Sequence, residues 1–84
     1  MELSEKVKEL VAVGASITAN CQPCLQHHAE KAFASGADSG EVKAAIEVGK
    51  QVRKGASAKM DQFSTSMKET NSVPAGAAGS PCCG

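Results

Sequence analysis

Between Ser4 and Asn20, apolar or small residues recur at Val7, Leu10, Val11, Gly14 and Ile17. Steps of three and four mark one face of an α-helix. Ser4 is placed to cap its start, with Glu5 favourably in the first turn. A second helix begins near Cys21 or Gln22, with Asn20 available as its N-cap. Pro23 is tolerated in the first turn, where its missing N–H has no helical partner. This helix runs through Leu25, Ala29, Ala32 and Phe33 to about Ser35, and Gly36 supplies the C-cap. A third starts at Asp38, with Glu41 three residues on as its capping-box partner. Its face is Val42, Ala45, Ile46, Gly49 and Val52, and Gly55 hinges or ends it. A fourth stretch, 56–68, places Met60, Phe63 and Met67 on one side. No strand-like alternation occurs, so the expected fold is all-α, a small hairpin or bundle of about four helices. Residues 1–69 form this helical domain. Residues 70–84 read as a flexible Gly/Ala/Ser/Pro tail that ends in Cys82-Cys83.

Composition changes this picture in one respect. The chain has 84 residues and is 42% hydrophobic, but 14 of its hydrophobic residues are Ala and 4 are Cys. That leaves 17 Val, Leu, Ile, Met and Phe, with no Trp or Tyr. A chain this short buries only roughly 60% of its unfolded surface even when well packed. The core is thin, and self-association is the expected remedy.

Charge narrows the partners. Nine basic and nine acidic side chains balance, which removes the electrostatic footprint of a nucleic-acid binder and gives no basic face for an anionic membrane. No run approaches 18 consecutive apolar residues, so no membrane span is expected. The charged stretch from Met1 to Lys8 is followed by no long apolar run, so the sequence predicts no secretory signal and a cytoplasmic location. In that setting cysteines are more often redox or metal groups than structural disulfides.

The chemistry concentrates in Cys21-Gln22-Pro23-Cys24, with His28 four residues further on. On a helix, positions 21, 24 and 28 point the same way. Unpaired N–H groups and the positive end of the helix dipole at an N-terminus favour a thiolate. His28, one turn below Cys24, can accept its proton directly or through a water. Glu9 lies twelve residues before Cys21; taken alone it is a solvated surface carboxylate. If the first two helices run antiparallel, Glu9 comes close to His28 and orients it, the base-plus-orienter arrangement of an activated nucleophile. Other readings stand beside this one. The two cysteines can be core thiols. They can also ligate zinc or a soft ion with His28 and a tail cysteine. His27 lies about 100° around the helix and is expected to be exposed.

Glu9, eleven intervening residues, Cys21-x-x-Cys24, three residues and His28 together resemble the signature of the alkylhydroperoxidase D-like branch of the carboxymuconolactone decarboxylase family. The surrounding text from about Leu3 to Val52 is similar to that family's helical hairpin. The resemblance implies an all-helical fold completed by homo-oligomerisation, often as a trimer or hexamer, with a dimer as the smaller assembly. It implies a redox-active Cys21–Cys24 disulfide and no bound cofactor. Cys24 would attack a hydroperoxide and become a sulfenic acid, Cys21 would close the disulfide, and His28 and Glu9 would relay protons. A sulfenic acid condenses readily with a neighbouring thiol. A dithiol such as dihydrolipoamide, or a thioredoxin-like protein, would restore the pair by exchange. The decarboxylase branch lacks this C-x-x-C, so decarboxylation is not implied. The peroxidase prototype carries a His between its cysteines where this chain has Gln22-Pro23, which favours dithiol–disulfide exchange over vigorous peroxidase turnover.

Cys82 and Cys83 are outside that signature. One reading is a mobile thiol shuttle, since about 13 residues from Glu69 give a root-mean-square span of ~20 Å. Another is capture of a soft metal or metalloid, such as copper, mercury or arsenic, by adjacent thiolates. The functional expectation is therefore a thiol–disulfide oxidoreductase with alkylhydroperoxidase-like activity, acting on a hydroperoxide or disulfide. The alternative is a non-catalytic metal- or metalloid-binding module built from Cys21, Cys24, His28, Cys82 and Cys83.

Overall fold

A computed structural model describes residues 2–70, and among them there are three helices and no strand. Helix α1 spans Glu5–Thr18, α2 spans Gln22–Ala34 and α3 spans Ser39–Thr70. The all-α expectation is borne out. Ser4 caps α1 as its side chain predicts, its Oγ accepting the Val7 N–H at 3.2 Å.

The two corners are built alike, and the first corrects an expectation. Asn20 does not cap α2. It takes the left-handed conformation, φ 56°, that ends α1. The Asn20 N–H donates to Ile17 O at 3.1 Å and the Cys21 N–H to Ser16 O at 3.0 Å. These are the paired bonds of a Schellman motif, and Asn is one of the few residues that tolerate its αL position. At the end of α2, Gly36 occupies the same position with φ 100°. There Gly36 N–H reaches Phe33 O at 3.1 Å and Ala37 N–H reaches Ala32 O at 3.0 Å. Ala32 and Ala37 are both buried, which supplies the apolar contact that accompanies the motif.

The capping box of α3 forms as predicted. The Glu41 N–H donates to Asp38 Oδ1 at 2.8 Å and the Asp38 N–H to Glu41 Oε1 at 3.0 Å. Ala37 and Val42, flanking the box, are buried together as a hydrophobic staple. Gly55 neither hinges nor ends the helix: what was expected to be a third and a fourth helix is one element of 32 residues. A glycine inside a helix costs only about 1 kcal/mol. Nothing lies within 4 Å of where its Cβ would be, so no tertiary contact draws the chain away. At about 1.5 Å per residue α3 is about 48 Å long, and it sets the long axis of the 52 × 24 × 20 Å molecule.

Helix α1 packs against both other helices, which hardly touch each other. Val13, Ala32, Ala37 and Val42 form the buried core, with Leu10, Leu25, Ala29, Ala45 and Ile46 packed around it. The α1–α3 crossing is close because it is made on glycines. A Cβ on Gly49 would stand 2.5 Å from Gly14 O and 2.8 Å from Ile17 Cβ. The expected core faces are only partly buried. Val7, Val11 and Val52 are 39%, 60% and 55% exposed, and on the distal part of α3 Met60 and Phe63 are 64% and 61% exposed.

Candidate functional site

Cys21 stands where two helices meet. Its N–H closes the Schellman motif of α1, and its Sγ caps α2 by accepting the Cys24 N–H at 3.3 Å. One cysteine therefore belongs to both helix ends, which fixes its backbone tightly. Cys24 sits in the first turn of α2 and is exposed, whereas Cys21 is half-buried. Their sulfurs are joined in a disulfide.

His28 follows Cys24 by one turn on the same face of α2. Its Nδ1 lies 2.7 Å from Oε1 of Glu9 on α1. Glu9 is only 3% exposed, so the solvated carboxylate that its residue type suggests is instead a buried one. It is satisfied from both sides, because Lys31 Nζ lies 3.9 Å from its other oxygen, Oε2. The hydrogen bond from His28 is the main cause holding the Glu9 carboxyl below its ordinary 4.5. Burial opposes it and the Lys31 charge adds to it. An ionised carboxylate only accepts, so the hydrogen is on Nδ1 and Nε2 of the neutral ring is the basic nitrogen. No hydrogen bond joins that nitrogen to either sulfur among the described residues. His27 is exposed as expected, its ring edge-on to that of His28 with centroids 4.9 Å apart.

Two residues of this region carry no flag in the signature. Lys31 is one; its position three residues after His28 and seven after Cys24 puts it on the same helix face, a signal legible in the spacing. Arg53 is the other. It reaches from α3 to the α1–α2 corner, where one nitrogen, Nη1, donates to Ile17 O at 3.2 Å and to Asn20 Oδ1 at 2.8 Å. No local pattern announces a contact between residues 36 apart. Beside it opens a cleft of about 210 Å³ whose walls include Ser16, Asn20, Cys21, Leu25 and Arg53.

The structure thus pairs Cys21 with Cys24 at the corner of the α1–α2 hairpin and His28 with Glu9 across it, His28 one turn after Cys24 on α2. No group of three or more metal-ligating side chains is placed to hold an ion among the described residues. Cys82, Cys83 and the tail from 71 onward lie outside those residues. No helix among the described residues is long and apolar enough to cross a membrane.

A model of the carboxymuconolactone decarboxylase family matches residues 2–61. No curated protein and no solved structure matches the chain.

Proposed function

The chain belongs to the carboxymuconolactone decarboxylase family, and within it we propose a cytoplasmic thiol–disulfide oxidoreductase with alkylhydroperoxidase-like activity, cycling between the Cys21–Cys24 dithiol and its disulfide. The observation that carries this reading is the Cys21–Cys24 disulfide, set on a helix N-terminus one turn from the His28–Glu9 pair.

In the reduced protein Cys24 is the nucleophile. It is the exposed thiol, it lies in the first turn of α2 where the backbone favours the thiolate, and His28 follows one turn later. His28 takes the proton of the Cys24 thiol, the thiolate attacks the outer oxygen of a hydroperoxide, the O–O bond breaks, and the departing alkoxide takes that proton from the imidazolium. Cys24 is now a sulfenic acid. Cys21 attacks its sulfur, water leaves, and the disulfide forms. A dithiol then restores both thiols by exchange. Glu9 touches neither sulfur; it is a positioning residue that fixes the tautomer of His28 and supports the imidazolium. Gln22 and Pro23 bring no titratable group between the cysteines, so peroxide cleavage relies on His28 alone, whereas exchange does not depend on such a group.

We also propose that the working form is a homo-oligomer. Val7, Val11, Val48 and Val52 line an apolar groove along α1 and α3 that holds about 450 Å³. The same α3 carries a second uncovered apolar stripe at Met60 and Phe63. A groove and a projecting stripe on one chain suit a second copy, and a core of four buried hydrophobic residues gains most from being covered in this way.

The decisive test is thiol titration before and after a stoichiometric dose of cumene hydroperoxide. Rapid loss of two thiols, absent in Cys24→Ser and reversed by a dithiol, supports the enzyme. Thiols that survive the peroxide and release zinc on denaturation overturn it.

A further inference from the structure

Arg53 is unusual among the cations of this chain. It is half-buried, both of its hydrogen bonds go to neutral oxygens, and both are made by the single nitrogen Nη1. No carboxylate pairs with it among the described residues, and Nη2 and Nε have no partner there. The bonds to Ile17 O and Asn20 Oδ1 hold the guanidinium at the corner that also fixes Cys21, so it is oriented with donors to spare.

What it faces is the cleft that Cys21 lines. Arg53 and Asn20 are shared with a second, adjoining depression on the α3 side, whose walls include Lys50, Lys54 and, at its far end, Asp61. Lys54 has no ion pair among the described residues, and Lys50 meets only the exposed Glu47 at 3.8 Å. A ledge of three cations against one lining carboxylate therefore adjoins the cleft that Cys21 lines. The chain as a whole carries no net charge, so this is a local feature.

We infer that this ledge is the binding site for the reducing substrate, and that the substrate is a carboxylate-bearing dithiol whose anionic group pairs with Arg53, Lys50 and Lys54 while one of its sulfurs enters the cleft at Cys21. This rests on the thiol–disulfide reading above and specifies its electron donor. The substrate thiolate attacks Cys21 Sγ, a new S–S bond forms, and the Cys21–Cys24 bond breaks with its electron pair leaving on Cys24. That sulfur is in the first turn of α2, one turn from His28, and takes up a proton. The donor's second thiol then attacks its own sulfur in the mixed disulfide and expels Cys21 as a thiolate, which is protonated in turn. The donor leaves as a disulfide, having given two electrons and two protons to the protein.

The ledge predicts discrimination by charge between donors of equal thiol chemistry. Dihydrolipoate and dihydrolipoamide share one dithiol and differ in a terminal carboxylate against a neutral amide. With the oxidised full-length protein at low ionic strength, dihydrolipoate is expected to reduce the Cys21–Cys24 disulfide about fivefold faster. The ratio is expected to fall toward one in 1 M salt, where the Debye length is about 3 Å. It is expected to fall likewise in Lys50→Gln/Lys54→Gln, and to persist in Arg53→Lys, which keeps the charge. Equal rates for the two donors at low salt overturn the inference and leave the exchange reading intact. A disulfide reduced by neither donor overturns both.

Discussion

His28 Nδ1 and Glu9 Oε1 meet at 2.7 Å across nineteen residues of sequence, from one helix of the hairpin to the other. The bond ties the chemistry of α2 to the packing of α1. A carboxylate this deeply buried is tolerable only because its ring and ammonium partners come with it.

Removing the ring should therefore cost stability as well as rate, because it leaves the buried Glu9 carboxylate without its main partner. His28→Ala is expected to slow peroxide-driven disulfide formation by about a hundredfold, the scale of lost general acid–base assistance. Added imidazole should restore part of that rate, since the vacated space lies one turn from Cys24 on the same helix face. A slow variant that imidazole does not rescue would assign His28 a packing role only. Glu9→Gln, which keeps the shape and an acceptor but not the charge, is expected to lose about tenfold, while retaining the helical circular dichroism of the parent.

Acid should loosen the fold through two carboxylates. Glu9 is held below its ordinary 4.5 chiefly by His28, and Glu41 chiefly by the Asp38 N–H, then by Lys6. A carboxyl with a depressed folded value binds its proton more weakly in the folded than in the unfolded chain. Its stabilisation is complete above the unfolded value, near 4.5, and is lost as pH falls through the lower folded value. Melting temperature should thus be flat from pH 7 to about 5 and decline below. In Glu41→Gln the decline should be shallower, and an unchanged decline would remove Glu41 from the account.

Two glycines of α3 should respond with opposite sign. At Gly49 a methyl group meets the backbone of Gly14, which cannot move aside cheaply. Gly49→Ala is expected to destabilise by about 1–3 kcal/mol, as overpacking does. At Gly55 the space is open, so Gly55→Ala should stabilise by roughly 0.4–1 kcal/mol, by lowering unfolded-chain entropy and raising helix propensity. Urea denaturation of both variants checks the pair, and a shared sign would contradict the glycine crossing.

Placing a charge in the apolar groove should disperse the assembly. Sedimentation of the parent should give a species larger than one 8.5 kDa chain, and Val11→Asp or Val48→Asp should give monomers with helical spectra. A monomeric parent would defeat the proposal that a second copy covers the groove. So would assembly unaffected by either charge.

Local features were readable before any coordinates. Ser4, the Asp38–Glu41 box and Gly36 act at helix ends through bonds of three to five residues' reach, and their side chains specify those bonds. Asn20 misleads for an equally local reason. It suits both an N-cap and an αL terminus, and the second use won because Cys21 could cap α2 with its own sulfur. Gly55 misleads because a glycine marks a helix end only when the surroundings take the chain elsewhere.

The sequence by itself determined the all-α class, the caps at Ser4, Gly36 and the Asp38–Glu41 box, and the C-x-x-C with a histidine one turn on, because each follows from spacings within a turn or two. Tertiary structure decided the rest. Which apolar stripe is buried depends on where α1 and α3 come together; the two helices approach closely at Gly14 and Gly49, and Val7 and Val11 remain outside. The burial of Glu9 and the arrival of Arg53 beside Cys21 are equally long-range: each needs helices brought together by burial, an effect that carries no direction in the sequence.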